Sequence, residues 1–260
     1  MAAGDAVTIE HLTKTYATRD GIVEAVSDVS FRVGRGEVIS LVGPSGCGKS
    51  TVLKMIAGLV PYDSGAIDVA GSPAAAGRRD CGIMLQSPVL LPWRTVLENV
   101  LLPVEVMGLD RQPARARADE LIRLVGLTGF EHKRPWELSG GMQQRASLAR
   151  LLVFEPEILL MDEPFAALDE FTRERLDTEL VGLQERLHRT IVYVTHNIGE
   201  AVMLSDVVIV MTPRPGRIVD CVEVDLPRPR DADVLTSPRG VDLIAHIRAA
   251  LGHTREQAAA

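Results

Sequence analysis

The stretch Val38 to Gly58 reads VISLVGPSGCGKSTVLKMIAG. Its mostly apolar start, ending at Val42, is the pattern of a buried strand, and Thr51 to Ala57 continues with the apolar spacing of a helix. Between them, Gly43-Pro44-Ser45-Gly46-Cys47-Gly48-Lys49-Ser50 fits GxxxxGKS. Gly43, Gly46 and Gly48 allow tight turns that bring successive N–H groups toward one point, and the helix beginning near Lys49 aims its positive end there. The stretch therefore reads as a phosphate cradle. Lys49 would neutralise the β and γ phosphates of a nucleotide, and the Ser50 hydroxyl would hold Mg²⁺. Cys47 lies near a helix start, where a thiolate is favoured; its plainer reading is a small residue that fits.

Around this loop lie 260 residues, 46% hydrophobic and 24% charged, a composition of globular protein. That length suits one large domain with a smaller insertion. Formal net charge is −7, which gives no overall attraction to nucleic acid or an anionic membrane surface. The local clusters Arg78/Arg79, Arg111/Arg115/Arg117 and Arg228/Arg230 read as solvated faces. The N-terminal MAAGDAVTIE lacks a signal pattern, and no uncharged apolar run reaches the roughly 18 residues of a spanning helix. The expected location is cytoplasmic. Three scattered cysteines, Cys47, Cys81 and Cys221, with no CxxC pair, suit a reducing compartment and argue against zinc.

Along the chain, Val7–Leu12 and Ser30–Val33 read as short strands separated by the turn-rich Thr18–Gly21. Tyr16 between them either stacks on an adenine ring or is a strand-edge surface tyrosine. Cys81–Leu85 is a strand ending at Gln86, which either reaches a metal-bound water or caps the turn. Thr95 to about Leu127 is helical, interrupted at Pro103 and Pro113, with Val96, Val100 and Val104 on one side and Leu121, Ile122, Leu124 and Val125 on another helix. In LSGGMQQR, Ser139 caps a helix while Gly140 and Gly141 leave N–H groups uncovered, making a second anion-binding start.

The strand Glu157–Met161 delivers Asp162 and Glu163 to its carboxyl end, one carboxylate for a metal shell and one for a water. Arg173–Arg189 is an amphipathic helix packed through Leu176, Leu180, Leu183 and Leu187. Ile191–Thr195 is a strand ending in His196, which either touches a γ-phosphate or is a structural histidine. Val207–Met211 is the last central strand, RPGRIVDCVEVDL a turn and hairpin-like pair, Asp242–Leu251 a closing helix, and GHTREQAAA a frayed end.

The ordered set GPSGCGKST, Gln86, LSGGMQQR, ILLMDEP, AALD and His196 in VTHN resembles the nucleotide-binding subunit of ABC transporters, over about Val7 to Val224. The strings LLPWRTVLENV, FAALDEFTRERL and MTPRPGRI are similar to the nitrate, sulfonate and taurine importer group. The resemblance implies an α/β fold: a P-loop NTPase (RecA-like) core with an antiparallel β subdomain over 7–86 and 156–225, an inserted α-helical subdomain over 87–155, and a C-terminal extension over 226–260. It implies ATP and Mg²⁺ as cofactors, with residues 43–51, from Gly43 through Thr51, and Tyr16 on the nucleotide, and Ser50, Gln86 and Asp162 attending the metal. Glu163 polarises the attacking water and His196 contacts the γ-phosphate. Ser139, Gly140, Gly141 and Asp169 act across a homodimer in which two copies pack head to tail around ATP.

The implied partners are membrane permease subunits, seated near Gln86 to Arg94, and indirectly an external solute-binding protein, placing the chain on the cytoplasmic face of the membrane. Trp93, Leu90 and Leu91 are either permease contacts or core. Asn197 departs from the family's usual acid and Gly199 from a larger residue, which implies a modest local change in hydrogen bonding. A soluble ABC-type ATPase would usually carry coiled-coil arms, tandem halves or a distinctive insertion, and this sequence shows none. A P-loop kinase leaves LSGGMQQR unexplained.

Overall fold

The computed structural model describes residues 4–19, 21–166 and 168–259, with side chains at 183, 185–187, 232 and 253–259 outside that description. Ala167 and the Leu183 and Leu187 side chains of the leucine stripe therefore lie outside the described residues; Leu176 and Leu180 are buried. In chain order the elements are β1 (Val7–Thr18), β2 (Gly21–Val33), β3 (Val38–Val42), α1 (Lys49–Ile56), β4 (Ser64–Val69), β5 (Ser72–Pro73), β6 (Cys81–Met84), α2 (Val96–Val100), α3 (Leu102–Met107) and α4 (Arg111–Leu124). They continue as α5 (Gly140–Leu152), β7 (Ile158–Asp162), α6 (Glu170–Leu187), β8 (Thr190–Thr195), α7 (Ile198–Leu204), β9 (Val207–Met211), β10 (Ile218–Glu223) and α8 (Pro238–Ala259).

The chain forms two compact units, Met1–Gly77 with Asp177–Ala260, and Arg78–Leu176. In the first, β9, β3 and β8 run parallel with β3 central, and β10 pairs antiparallel on β9. Every residue of β3 and of β8 is buried, which explains why both read as continuous rather than alternating apolar runs. A second, antiparallel sheet runs β2-β1-β4-β5. In the Arg78–Leu176 unit β6 and β7 form a parallel pair, and α2 to α5 are its helices.

Several boundaries differ from the sequence expectation. The leading strands are a long hairpin paired down to Thr18 and Gly21, not two short strands. Register shifts around Leu12 and Lys14 and the polar run at Thr13 to Thr15 hide its alternation. The helical run is interrupted just before Pro103 and Pro113, as the sequence led one to expect, and each proline falls in the first turn of the helix that follows, α3 or α4, where a missing N–H costs nothing. The closing helix begins at Pro238, with Ser237 Oγ accepting the Gly240 N–H at 3.1 Å, and runs to Ala259 where fraying was expected; Ala260 lies outside the described residues. Arg228 and Arg230 do not make a solvated face: Arg228 is half-buried and Arg230 buried.

One tie spans the antiparallel sheet and the loop before β4. Asp63 accepts the Thr15 N–H at 2.6 Å, the Thr15 hydroxyl at 2.7 Å and the Lys14 ammonium at 3.0 Å. The Thr15 hydroxyl, then Lys14, then the Thr15 amide hold its carboxyl at about 2, below the ordinary 3.8. A depressed carboxyl stabilises the fold fully above its ordinary value, and the contribution disappears as pH falls through about 2. Asp63→Asn should therefore be less stable than wild type by a constant margin between pH 7 and 5 in urea denaturation, and the margin should shrink below about pH 4. A margin unchanged at pH 3 would contradict this linkage.

Candidate functional site

The phosphate loop connects β3 to α1. Gly48 sits at φ 101° as the N-cap of α1 and brings no side chain to cap the first-turn N–H groups of Lys49, Ser50 and Thr51. A Cβ there would lie 2.7 Å from the Ala25 carbonyl oxygen and 2.8 Å from Val26 Cγ2. At Gly43 a Cβ would meet Cys47 Sγ at 2.8 Å and the Met211 carbonyl oxygen at 3.0 Å. Only glycine permits these approaches. Lys49, 5% exposed, donates to the carbonyls of Gly43 at 2.7 Å and Pro44 at 3.0 Å, with Cys47 Sγ at 3.6 Å. The loop thus presents helix-start N–H groups and a buried ammonium, the donor set for an anionic phosphate. The Cys47 side chain is fully buried, in keeping with a small residue that fits.

The turn of the β9–β10 hairpin supports the cradle from behind. Arg214 donates to the Gly46 carbonyl from Nε at 3.4 Å and Nη2 at 3.3 Å. Gly216 exchanges bonds with β2, its N–H to Ala25 and its carbonyl from Ser27, both 3.0 Å. A Cβ at Gly216 would collide with the Cys47 carbonyl oxygen. The string MTPRPGRI is therefore a phosphate-loop brace.

Strand register collects the next residues. Val42 of β3 pairs with Thr195 of β8, so Gly43 and His196 leave adjacent strand ends on the same side. His196 is exposed. Asn197 caps α7, its Oδ1 accepting the N–H groups of Gly199 at 2.9 Å and Glu200 at 3.3 Å. An aspartate would use the same oxygen, so Asn197 preserves the cap and changes only its charge. Tyr16 pairs with Val23 of β2, and Val26, three residues further along that strand, touches the Gly48 position. Tyr16 thus stands roughly 10 Å of strand from the cradle, on the scale of a nucleoside. The Lys14 ammonium lies 5.4 Å from its ring centroid.

Within the Arg78–Leu176 unit, the pairing of Met84 with Met161 brings Gln86 beside Asp162 and Glu163. Asp162 is buried at the end of β7. Glu163 adopts φ 45°, an uncommon conformation for a non-glycine residue that clusters at active sites. Its Oε2 accepts the Gln86 amide at 3.3 Å. Ser139 is the N-cap of α5, its Oγ accepting the Met142 N–H at 3.3 Å, and the Gly140 Cα faces open space. At Gly141 a Cβ would meet Leu168 Cδ2 at 2.8 Å. Asp169 accepts the Thr172 N–H at 2.9 Å at the start of α6, and that bond holds its carboxyl below the usual range.

Sequence reading missed the residues that fasten the segment after Gln86. Gln144 on α5 donates to the Gln86 carbonyl. Arg150, two turns further, donates to Pro88 at 2.7 Å and Val89 at 2.8 Å. Asn99 on α2 is fully buried and donates to Leu91, Arg94 and Thr95 while accepting the Leu91 N–H at 2.7 Å. Trp93 in this held segment is 66% exposed, and Leu90 and Leu91 are half-buried. Nothing in the motif strings marks these three side chains, because each acts on backbone carbonyls.

With this geometry in place, comparison with known proteins matches residues 26–166 to the ABC transporter family. The chain belongs to the ABC transporter ATP-binding family. An uncharacterised ABC transporter ATP-binding protein of Methanocaldococcus jannaschii is 45% identical over 86% of this chain and 84% of its own length. The taurine import ATP-binding protein of Rhizobium johnstonii is 43% identical over 95% of this chain and 97% of its own. A dimeric post-hydrolysis ATP-binding cassette bound to ADP and Pi superposes with TM-score 0.77 and 32% identity, covering 85% of this chain and all of that one. This ABC cassette therefore has the P-loop NTPase fold and is an ABC-type ATPase that binds ATP. Among the described residues no helix is long and apolar enough to cross a membrane.

Gly216→Ala tests the brace on the ATP site. Relieving its clash must move the Cys47 carbonyl, at a cost of about 1–3 kcal/mol in overpacking, so ATP affinity should fall while the far-UV circular dichroism stays that of wild type. Unchanged affinity would show that the brace does not set the loop.

Proposed function

We propose that this chain is the energy-coupling ATPase of a binding-protein-dependent importer of a small, anionic solute of the nitrate, sulfonate or taurine kind. The observation that carries this reading is the near end-to-end similarity to a taurine import ATP-binding protein, joined by the strings LLPWRTVLENV, FAALDEFTRERL and MTPRPGRI. The subdomain plan is a core over 7–86 and 156–225, a helical part over 87–155 and an extension over 226–260.

In this reading Lys49 exchanges its loop carbonyls for the β and γ phosphates, whose charge is the better partner for a buried ammonium. The amides of residues 43–51 cradle the same groups, and Tyr16 stacks on the adenine. Ser50, Gln86 and Asp162 offer hydroxyl, amide and carboxylate oxygens, the hard donors that Mg²⁺ takes. When bound, Mg²⁺ would supply neutralisation of charge on the phosphates. Glu163 accepts a proton from the attacking water, which displaces ADP from the γ-phosphorus, and His196 donates to a γ-phosphate oxygen. Removing the γ-phosphate removes the charge that both faces of the site contact.

The second face is Ser139 to Gly141 of another copy, with Asp169 beside it, so the active unit is a homodimer. The dimeric ATP-binding cassettes that this chain resembles support that assembly. Membrane permease subunits seat on the Gln86–Arg94 segment, supported by the exposed Trp93 on a backbone that Gln144, Arg150 and Asn99 hold in place. A solute-binding protein acts through those permeases, and the chain works at the cytoplasmic face of the membrane.

Glu163→Gln should bind ATP as wild type does and hydrolyse it slower by a factor on the order of 10² to 10⁴. Turnover within twofold of wild type would remove Glu163 from the proton path. Ser139→Ala mixed in excess with wild type should lower the specific activity of the wild-type component, because mixed dimers carry a defective face. Full activity in the mixture would contradict the shared site.

A further inference from the structure

Helix α7 has only seven residues, too few to be stable alone, yet its first turn follows His196 directly. Asn197 secures one end. At the other, the Ala201 carbonyl accepts the Ser205 N–H at 3.1 Å, and the following carbonyls are taken by two arginines. Arg230 donates from Nη1 to Val202 at 3.2 Å, Met203 at 3.4 Å and Ser205 at 2.6 Å. Arg228 donates from Nη2 to Leu204 at 3.2 Å. Carbonyls 201 to 205 are thus all satisfied, four of them by cations placed where the helix end is negative.

Both arginines also hold something else. Arg230, 4% exposed, donates from Nη2 to Val224 at 2.9 Å and Leu226 at 3.1 Å, so one guanidinium joins the end of α7 to the chain leaving β10. Arg228 pairs with Asp206 Oδ1 at 2.8 Å, and Asp206 Oδ2 accepts the Val38 N–H at 2.8 Å, at the start of the strand that enters the phosphate loop. Around them Val42, Ala201, Val202, Val224, Leu226 and Leu243 pack in one apolar cluster. A lysine has one point of charge and no planar fork, and it does not reach carbonyls on two sides at once.

We infer that the Pro-rich segment 227–230 is a positioning element of the ATPase site. Arg228 and Arg230 clamp the C-terminal end of α7 and thereby fix where His196 stands relative to the phosphate loop. The segment carries no ligand chemistry of its own; its effect passes through the histidine. The inference rests on the proposed contact between His196 and the γ-phosphate.

The test is a double-mutant cycle on steady-state ATP hydrolysis by the full chain, with rates normalised to the folded fraction from thermal melts. Arg228→Ala, whose side chain is partly exposed and tolerates removal better than Arg230, should lower kcat about tenfold with KM for ATP within about twofold, as misplacement of a transition-state group does. Arg228→Lys should not restore it. In a His196→Ala background, Arg228→Ala should cost less than about twofold more, because the group it positions is already gone. A wild-type kcat per folded molecule in Arg228→Ala, or the full tenfold loss repeated in the His196→Ala background, overturns the clamp and leaves the histidine's role standing. An undiminished kcat in His196→Ala alone overturns that role and the clamp with it.

Discussion

The ammonium of Lys49 is buried on carbonyl oxygens of its own loop, and this positive charge organises the chemistry of the chain. Carbonyl dipoles offset part of the cost of keeping a cation out of water; an anion offsets more. The loop keeps that shape because side chains are missing where they would intrude. Gly48 lies against Ala25 and Val26, Gly43 against Cys47 and Met211, and Gly216 against the Cys47 carbonyl. Three separate parts of the sequence therefore converge on one backbone conformation: the leading hairpin, the loop itself and the turn after β9.

Strand ends do the remaining collecting. Parallel register sets Gly43 beside His196 in one unit and Gln86 beside Asp162 and Glu163 in the other. A one-residue slip in either pairing would turn those side chains away. In the Arg78–Leu176 unit, α5 carries the Ser139–Gly141 start at one end and grips the Gln86–Val89 backbone through Gln144 and Arg150 further along. Ser139 and the exposed Trp93 thus belong to one braced piece. In the proposed function, this bracing is what would link the Ser139 face to a partner seated at Trp93.

Much of this was legible in the sequence because the chemistry is written in contiguous strings. GPSGCGKST, LSGGMQQR and ILLMDEP each place functional residues a few positions from an element boundary, and those elements lie where periodicity put them. The leading hairpin was less legible, since its polar middle and shifted register mask the alternation of a strand. The fasteners were not legible at all. Asn99, Gln144, Arg150, Arg214 and Arg230 work by binding backbone atoms, many of them far away in sequence, and a backbone carbonyl carries no residue type to pair with; Asp63 and Arg228 also meet side chains, at Thr15, Lys14 and Asp206, that sequence separation hides. Arg228 and Arg230 even read as solvated charge: the carbonyls that satisfy buried Arg230 have no acidic residue type to announce them, and the acid that pairs with Arg228, Asp206, lies 22 residues away in sequence. Asn197 shows the reverse case, a departure in the string that the structure absorbs as an equivalent cap.

The central claim is that ATP completes its site only between two copies. Light scattering of purified Glu163→Gln, with and without Mg-ATP, tests it most directly. The account predicts monomer without nucleotide and dimer with ATP, reverting when ADP replaces it. A variant that binds ATP and remains monomeric at high protein concentration would contradict it.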